Sequence, residues 1–232
     1  MARDTRDPMV KAIEAIGGRM VKDLPDHPTA RQLQGMVNRL HGATEALDRV
    51  MTNRNPLDTT DAHALKVAKM ARKLDTEILA SLNQSGRIWA DGVQDVQRRI
   101  DEKVDLRPDA FATEIRSAFR GLDTKAKAAL LKELVEGNRG PELAAIVRAP
   151  SVVAGISDKE KADYEKAIVG KHAAAEIDEQ GKLGEVFEAI MVAHRAATDF
   201  AKRLTDPDKV AAIERGAAQA AAAGAAFDQS LQ

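Results

Sequence analysis

Residues 59–104 decide the fold of this chain, and they read TTDAHALKVAKMARKLDTEILASLNQSGRIWADGVQDVQRRIDEKV. The stretch contains no proline, and its only glycines are Gly86 and Gly92. Its apolar side chains recur mostly every three or four residues, the spacing of an amphipathic helix; they are Val67, Ala71, Leu74, Ile78, Leu82, Trp89, Val93, Val96, Ile100 and Val104. A continuous helix here would be roughly 65 Å long. Because such a helix must pack along other helices or subunits, we predict an all-α protein, an elongated bundle of long helices without a β-sheet.

A heptad pattern precedes this stretch, in residues 29–53, which we predict to form a second long helix. Its apolar side chains alternate steps of three and four residues, as in a coiled coil; they are Leu33, Met36, Leu40, Ala43, Leu47 and Val50. Two partners fit this seam: a helix of another chain, or residues 59–104 folded back as an antiparallel hairpin. Because the connector 54–58 is short, the hairpin is favoured. The candidate interface residues on this seam are Leu33, Met36, Leu40, Leu47 and Val50.

Capping residues mark where several other helices should begin. Asp7 followed by Pro8 is typical of an N-cap and a first helical position. Asp123 is a second candidate N-cap, and Ser157 with Glu160 has the spacing of a capping box. These signals predict helices that start at residues 8, 124 and 158.

The sequence pattern divides the chain into three parts. Residues 1–105 form an N-terminal helical hairpin region with the long helix. Residues 106–156 contain short helices between turn signals and hold two of the five phenylalanines, so we predict a compact subdomain. Residues 157–232 form a long helix to about Leu204, with its likeliest break at 176–184, and then an alanine- and glycine-rich terminal helix.

The terminal helix contains the run GAAQAAAAGAAF at residues 216–227. Gly216, Ala220 and Gly224 form a row of small residues, which lets two helix backbones approach closely. The run is a low-complexity tail, a helix-packing segment or a membrane-inserting segment, and it is too short to span a bilayer alone. We predict that Gly216 and Gly224 face a partner helix at short range, either within the chain or from a neighbour.

Charge and composition exclude several classes of protein. Lys and Arg number 35 against 36 Asp and Glu, and a balanced charge does not suit a dedicated nucleic-acid binder. Sequence-specific contact with nucleic acid is therefore not expected. The chain has no cysteine, which excludes disulfides and thiolate sites. Its first residues lack the apolar run of a signal peptide, so we expect synthesis in the cytoplasm.

No pattern in the sequence points to catalysis, a cofactor or a metal. The five histidines are never three or four residues apart, so no helical metal pair exists. Serine and lysine nucleophile motifs and glycine-rich phosphate loops are missing. Trp89, the only tryptophan, suits a core anchor better than a ligand platform. We therefore expect a protein that is not an enzyme and binds no cofactor.

One segment carries a family resemblance. The sequence LRPDAFATEIRSAFR at 106–120, LLKELVEGN at 130–138 and LAAIVRAPSVVAGIS at 143–157 resembles uncharacterised helical proteins encoded among tailed-phage virion genes. The resemblance implies a structural virion protein, of the internal and ejection type or associated with the portal. Its implied partners are further copies of itself, portal or other internal proteins, and a transient contact with a membrane. A phage scaffolding protein and a cytoplasmic helical adaptor are the alternatives.

Overall fold

The computed structural model describes residues 6–20, 22 and 24–230, and all regular structure in these residues is helical. The helices of this part of the chain are α1 Pro8–Arg19, α2 Pro28–Thr52, α3 Thr60–Val104, α4 Ala112–Arg120, α5 Thr124–Glu136, α6 Gly140–Val147, α7 Ser151–Ala154, α8 Asp158–His172, α9 Ala174–Leu204 and α10 Pro207–Ser230. None of the described residues lies in a strand. The prediction of an all-α protein is confirmed.

The predicted helix starts are observed with their capping hydrogen bonds. The Asp7 carboxylate accepts a hydrogen bond from the backbone N–H of Met9 at 2.8 Å, and the Asp123 carboxylate accepts one from Ala126 at 2.8 Å. Ser157 and Glu160 form a complete capping box at the start of α8. Each cap satisfies backbone N–H groups that have no partner inside the helix.

The two long helices differ in how well the sequence predicted them. α3 is continuous from Thr60 to Val104, as predicted, and passes through Gly86 without a break. The predicted break at 176–184 is wrong, because the helices α8 and α9 separate at Ala173 instead. Ala173 is fully buried, and the ring of the preceding His172 donates a hydrogen bond to the carbonyl oxygen of Val135 at 2.6 Å. The break therefore lies beside a tertiary contact to α5 and outside the predicted range.

The chain forms two compact units that differ from the three predicted parts. Unit 1 comprises the described residues up to Trp89 and those from Gly184 onward, and unit 2 comprises Ala90–Leu183. The predicted division at 105 and 156 leaves the last part of α3 and the first part of α9 outside the predicted middle subdomain, whereas unit 2 includes both. These helices each contribute residues to both units, so unit 2 extends beyond the predicted subdomain on either side.

The core of unit 1 is built from α1, α2, the first part of α3 and the second part of α9. Its buried side chains include Val10, Ile13, Leu33, Val37, Leu40, Leu47, Val67, Ala71, Leu74, Ile78, Val186, Ile190, Ala193, Ala197 and Phe200. α2 and α3 run antiparallel, since Ser85 lies against Met36 while His63 lies near Met51. The hairpin favoured by the sequence is therefore the arrangement observed in this unit.

The core of unit 2 is built from short helices. α4 packs on α6 and α7, and α5 packs on α6 and α8. Its fully buried large side chains are Phe119, Leu131, Leu134, Leu143, Ile146, Ile168 and Leu183. Gly140 is required at the start of α6, because a Cβ there would lie 1.6 Å from the carbonyl oxygen of Val104. This close backbone contact fixes α6 against the end of α3.

Candidate functional sites

The heptad seam of α2 is used inside the chain. Leu33, Met36, Leu40 and Leu47 are buried, with 5% exposure or less, and Val50 is half-buried against the same core. These five side chains pack within unit 1, so they do not form a free surface for another chain. Of the two partners that fit the seam, the described structure therefore shows helices of the same unit.

The terminal helix α10 is mostly exposed, in contrast to the buried seam of α2. Val210 is buried, and Glu214 lies 3.5 Å from Arg72 in an ion pair, so the helix start is held to unit 1. From Arg215 to Gln229 every residue is exposed. A Cβ built on Gly216 or Gly224 would have no atom of another described element within 4 Å. Within the described chain, no partner helix therefore lies at short range from either glycine.

Trp89 occupies the position of a core anchor. It is half-buried against the core of unit 1, and its ring stacks on Phe187 with centroids 4.7 Å apart and planes inclined by 19°. Offset stacking of this kind contributes about 0.5–1.5 kcal/mol beyond burial. The ring is thus occupied by an intramolecular partner.

A serine and a histidine meet between α3 and α9 of unit 1. His194 is 2% exposed, and its Nε2 lies 3.1 Å from the hydroxyl oxygen of Ser81. Its Nδ1 lies 2.9 Å from the carbonyl oxygen of Ile190, one turn earlier in α9. Burial lowers the pKa of the His194 imidazole, and the bond to Ile190 only partly opposes this shift. Burial therefore favours the neutral form of the ring.

Ser81 also opens onto a cleft between α2 and α3. The cleft has a volume of about 210 Å³. Its apolar walls are formed by the buried side chains of Met36, Leu40 and Leu74. Its rim carries the exposed polar side chains of Arg39, Glu77 and Gln84. The remaining lining residues are Ala43, Ala80 and Ser81. It therefore combines apolar walls, a hydroxyl group and a charged rim.

A buried lysine organises a polar cluster in unit 2. The Lys161 ammonium donates hydrogen bonds to the carbonyl oxygen of Ala149 at 2.7 Å, to the Ser151 hydroxyl at 2.7 Å and to Asp158 at 3.0 Å. Ser151 in turn donates to Asp158. The hydrogen bonds from Ser151 and Lys161 hold the pKa of the Asp158 carboxyl below its usual value. Because all three lysine donors are used, the Lys161 ammonium ties α7 and α8 together.

Two ion pairs join α3 and α9 within unit 2. Arg99 donates to Glu179, and Lys103 donates to Glu176 at 2.8 Å. The Lys103 ammonium is also the main cause of the lowered pKa of Glu176. These pairs link the two helices at successive turns, and all four charges are matched.

The described residues contain neither a candidate metal cluster nor a candidate membrane span. Among residues 6–20, 22 and 24–230, no three His, Asp or Glu side chains are grouped so that they could hold a metal ion. No helix in the described part combines the length and the apolar content that crossing a bilayer requires.

Sequence reasoning missed both the Ser81–His194 pair and the Lys161 cluster. Ser81 and His194 are 113 residues apart, and Lys161 lies ten residues from Ser151, so neither pair forms a local motif. The comparisons found no match to this chain among protein-family models, curated proteins or solved structures.

Proposed function

We propose that this chain is a structural protein of a tailed-phage virion, of the internal and ejection type or associated with the portal. In this role it assembles with further copies of itself through α10 and needs no catalytic step. The resemblance of residues 106–157 supports the virion setting. The observation that carries the assembly role is the exposure of every residue of α10 from Arg215 to Gln229.

An exposed helix of this composition gains stability from a partner. In proteins most helical stability comes from the packing of an apolar face against a partner rather than from helix propensity. Gly216 and Gly224 each cost about 0.5–1 kcal/mol relative to alanine. Within the described chain no contact at either glycine offsets this cost. A second helix at short range would bury the alanine methyl groups and use the space that the glycines leave open.

A second copy of the chain is the partner that fits this surface. Residues 216–227 carry no charge, so a partner needs no complementary charges along them. Small residues allow two helix backbones to approach closely only when the facing helix also carries small side chains. The same segment of another copy meets this condition. The α2 seam, the other candidate surface, is already buried in unit 1.

Sedimentation velocity at micromolar concentration tests self-assembly. We expect the native chain to sediment as an oligomer, and Gly216→Leu with Gly224→Leu to shift it toward monomer, because leucine side chains prevent close approach. Gln219→Leu is the control, since it places a leucine of similar size outside the small-residue row, and it should leave the oligomer unchanged. A compact monomer formed by the native chain would overturn the assembly role.

Quantitative mass spectrometry of purified phage particles tests the virion setting separately. We expect the chain at a fixed copy number per mature particle. Presence in precursor particles and loss from mature ones would replace this proposal with the scaffolding role. Absence from both, combined with oligomers in solution, would leave self-assembly intact but remove the virion setting.

A further inference from the structure

The contacts of His194 fix which of its ring nitrogens carries the hydrogen. The carbonyl oxygen of Ile190 can only accept a hydrogen bond, so the Nδ1 atom that faces it at 2.9 Å is the protonated nitrogen. Nε2 then presents its lone pair to the Ser81 hydroxyl at 3.1 Å. The serine therefore donates its hydrogen bond to a neutral imidazole, which is the arrangement that activates a serine nucleophile.

The surroundings of Ser81 give this pair access to a small molecule. The imidazole is buried, yet the Ser81 side chain is half-exposed and lines the cleft of about 210 Å³. This volume is below the roughly 300–1,000 Å³ of pockets for drug-sized ligands. Met36, Leu40 and Leu74 would surround a short aliphatic chain, while Arg39 and Gln84 supply hydrogen-bond donors at the rim.

From this geometry we propose that Ser81 is an acylation site that takes short-chain acyl groups from activated esters. The Ser81 oxygen attacks the ester carbonyl carbon while its proton passes to Nε2 of His194. The bond from the carbonyl carbon to the leaving oxygen then breaks, and Nε2 returns the proton to that oxygen. The products are an acyl ester on Ser81 and a free alcohol. The hydrogen bond from Nδ1 to the Ile190 carbonyl orients the ring throughout. This reactivity is independent of the assembly role.

The test uses the full chain and p-nitrophenyl butyrate. We expect release of one equivalent of p-nitrophenolate, a mass increase of one butyryl group, and location of that group on Ser81 by peptide mass spectrometry. Ser81→Ala should abolish the adduct. His194→Gln should slow its formation by roughly 100-fold, within the range that a positioned general base contributes.

The controls separate a reactive serine from general surface acylation. Ser117→Ala removes an exposed serine on α4 and should react like the native chain. Butyryl groups spread over lysines, or an equal rate in His194→Gln, would overturn the proposal. If His194→Gln fails to fold, the pH profile of the native chain decides. The rate must fall as the imidazole protonates below pH 6.5, its ordinary pKa, and a flat profile would refute the role of His194.

Discussion

The two compact units differ in the length of their helices and in the interactions that hold those helices together. Unit 1 relies on long helices whose apolar side chains recur at helical spacing, and its core follows these stripes along α2, α3 and α9. Unit 2 contains the short helices α4 to α8. Among these, α5 and α8 begin at side-chain caps, α6 begins at a close backbone contact, and α8 carries the buried Lys161. The long helices are therefore held mainly by regularly spaced apolar side chains, whereas the short helices also depend on specific interactions at their ends.

The largest expected effect concerns the central side chain of unit 2. Phe119 is 1% exposed, and the Lys127 ammonium lies 5.5 Å from its ring centroid. Phe119→Ala should reduce the free energy of unfolding by about 3–5 kcal/mol, because it removes a buried ring and leaves a cavity. Chemical denaturation measures the change. Phe111→Ala is the matched control, since Phe111 is 66% exposed. Equal effects of the two variants would show that unit 2 lacks the core assigned to it.

A smaller effect is expected from the polar link in the same unit. Lys161→Met preserves the aliphatic bulk but leaves the carbonyl oxygen of Ala149 without the ammonium donor. The free energy of unfolding should fall by about 1–3 kcal/mol, the cost of leaving a buried acceptor unsatisfied. Lys166→Met on the exposed face of α8 should have almost no effect. If both substitutions are neutral, unit 2 depends on apolar packing alone, and the contrast between the units disappears.

The smallest effect tests unit 1 through pH. The folded-state pKa of His194 lies below its ordinary value of 6.5 because the ring is buried. As pH falls below 6.5, the unfolded chain binds a proton before the folded chain does, so stability is complete above 6.5 and decreases below it. Urea unfolding on either side of pH 6.5 should show this loss in the native chain. His194→Gln should show a smaller loss over the same interval. Identical pH dependence in the two chains would mean that His194 is not desolvated.

Local signals predicted helices well but could not predict partners. Residues 59–104 predicted α3 to within one residue, and Asp7, Asp123 and Ser157 cap the helices they were expected to cap. These features depend on neighbours in sequence. The break at Ala173 depends on a contact between His172 and Val135, 37 residues away, and no local pattern encodes it.

The candidate sites show the same limit. The α2 seam identified apolar residues that pack against helices, but a heptad pattern is the same whether the partner is in the chain or outside it. The hydrogen bond between Ser81 and His194 required the antiparallel packing of α3 and α9 to bring two distant residues together. Sequence reasoning therefore found the faces of the helices and missed the polar groups that meet across them.

Backbone amide hydrogen exchange of α10 tests most directly whether this helix is the assembly surface. Exchange in residues 216–227 should be slow at a concentration where the chain is oligomeric and fast after dilution, because an exposed helix frays when no second chain covers it. Exchange in α2, whose seam is buried within unit 1, should not depend on concentration. Fast exchange in α10 at both concentrations, with oligomers still present, would show that the helix is a solvated tail and that assembly uses another surface.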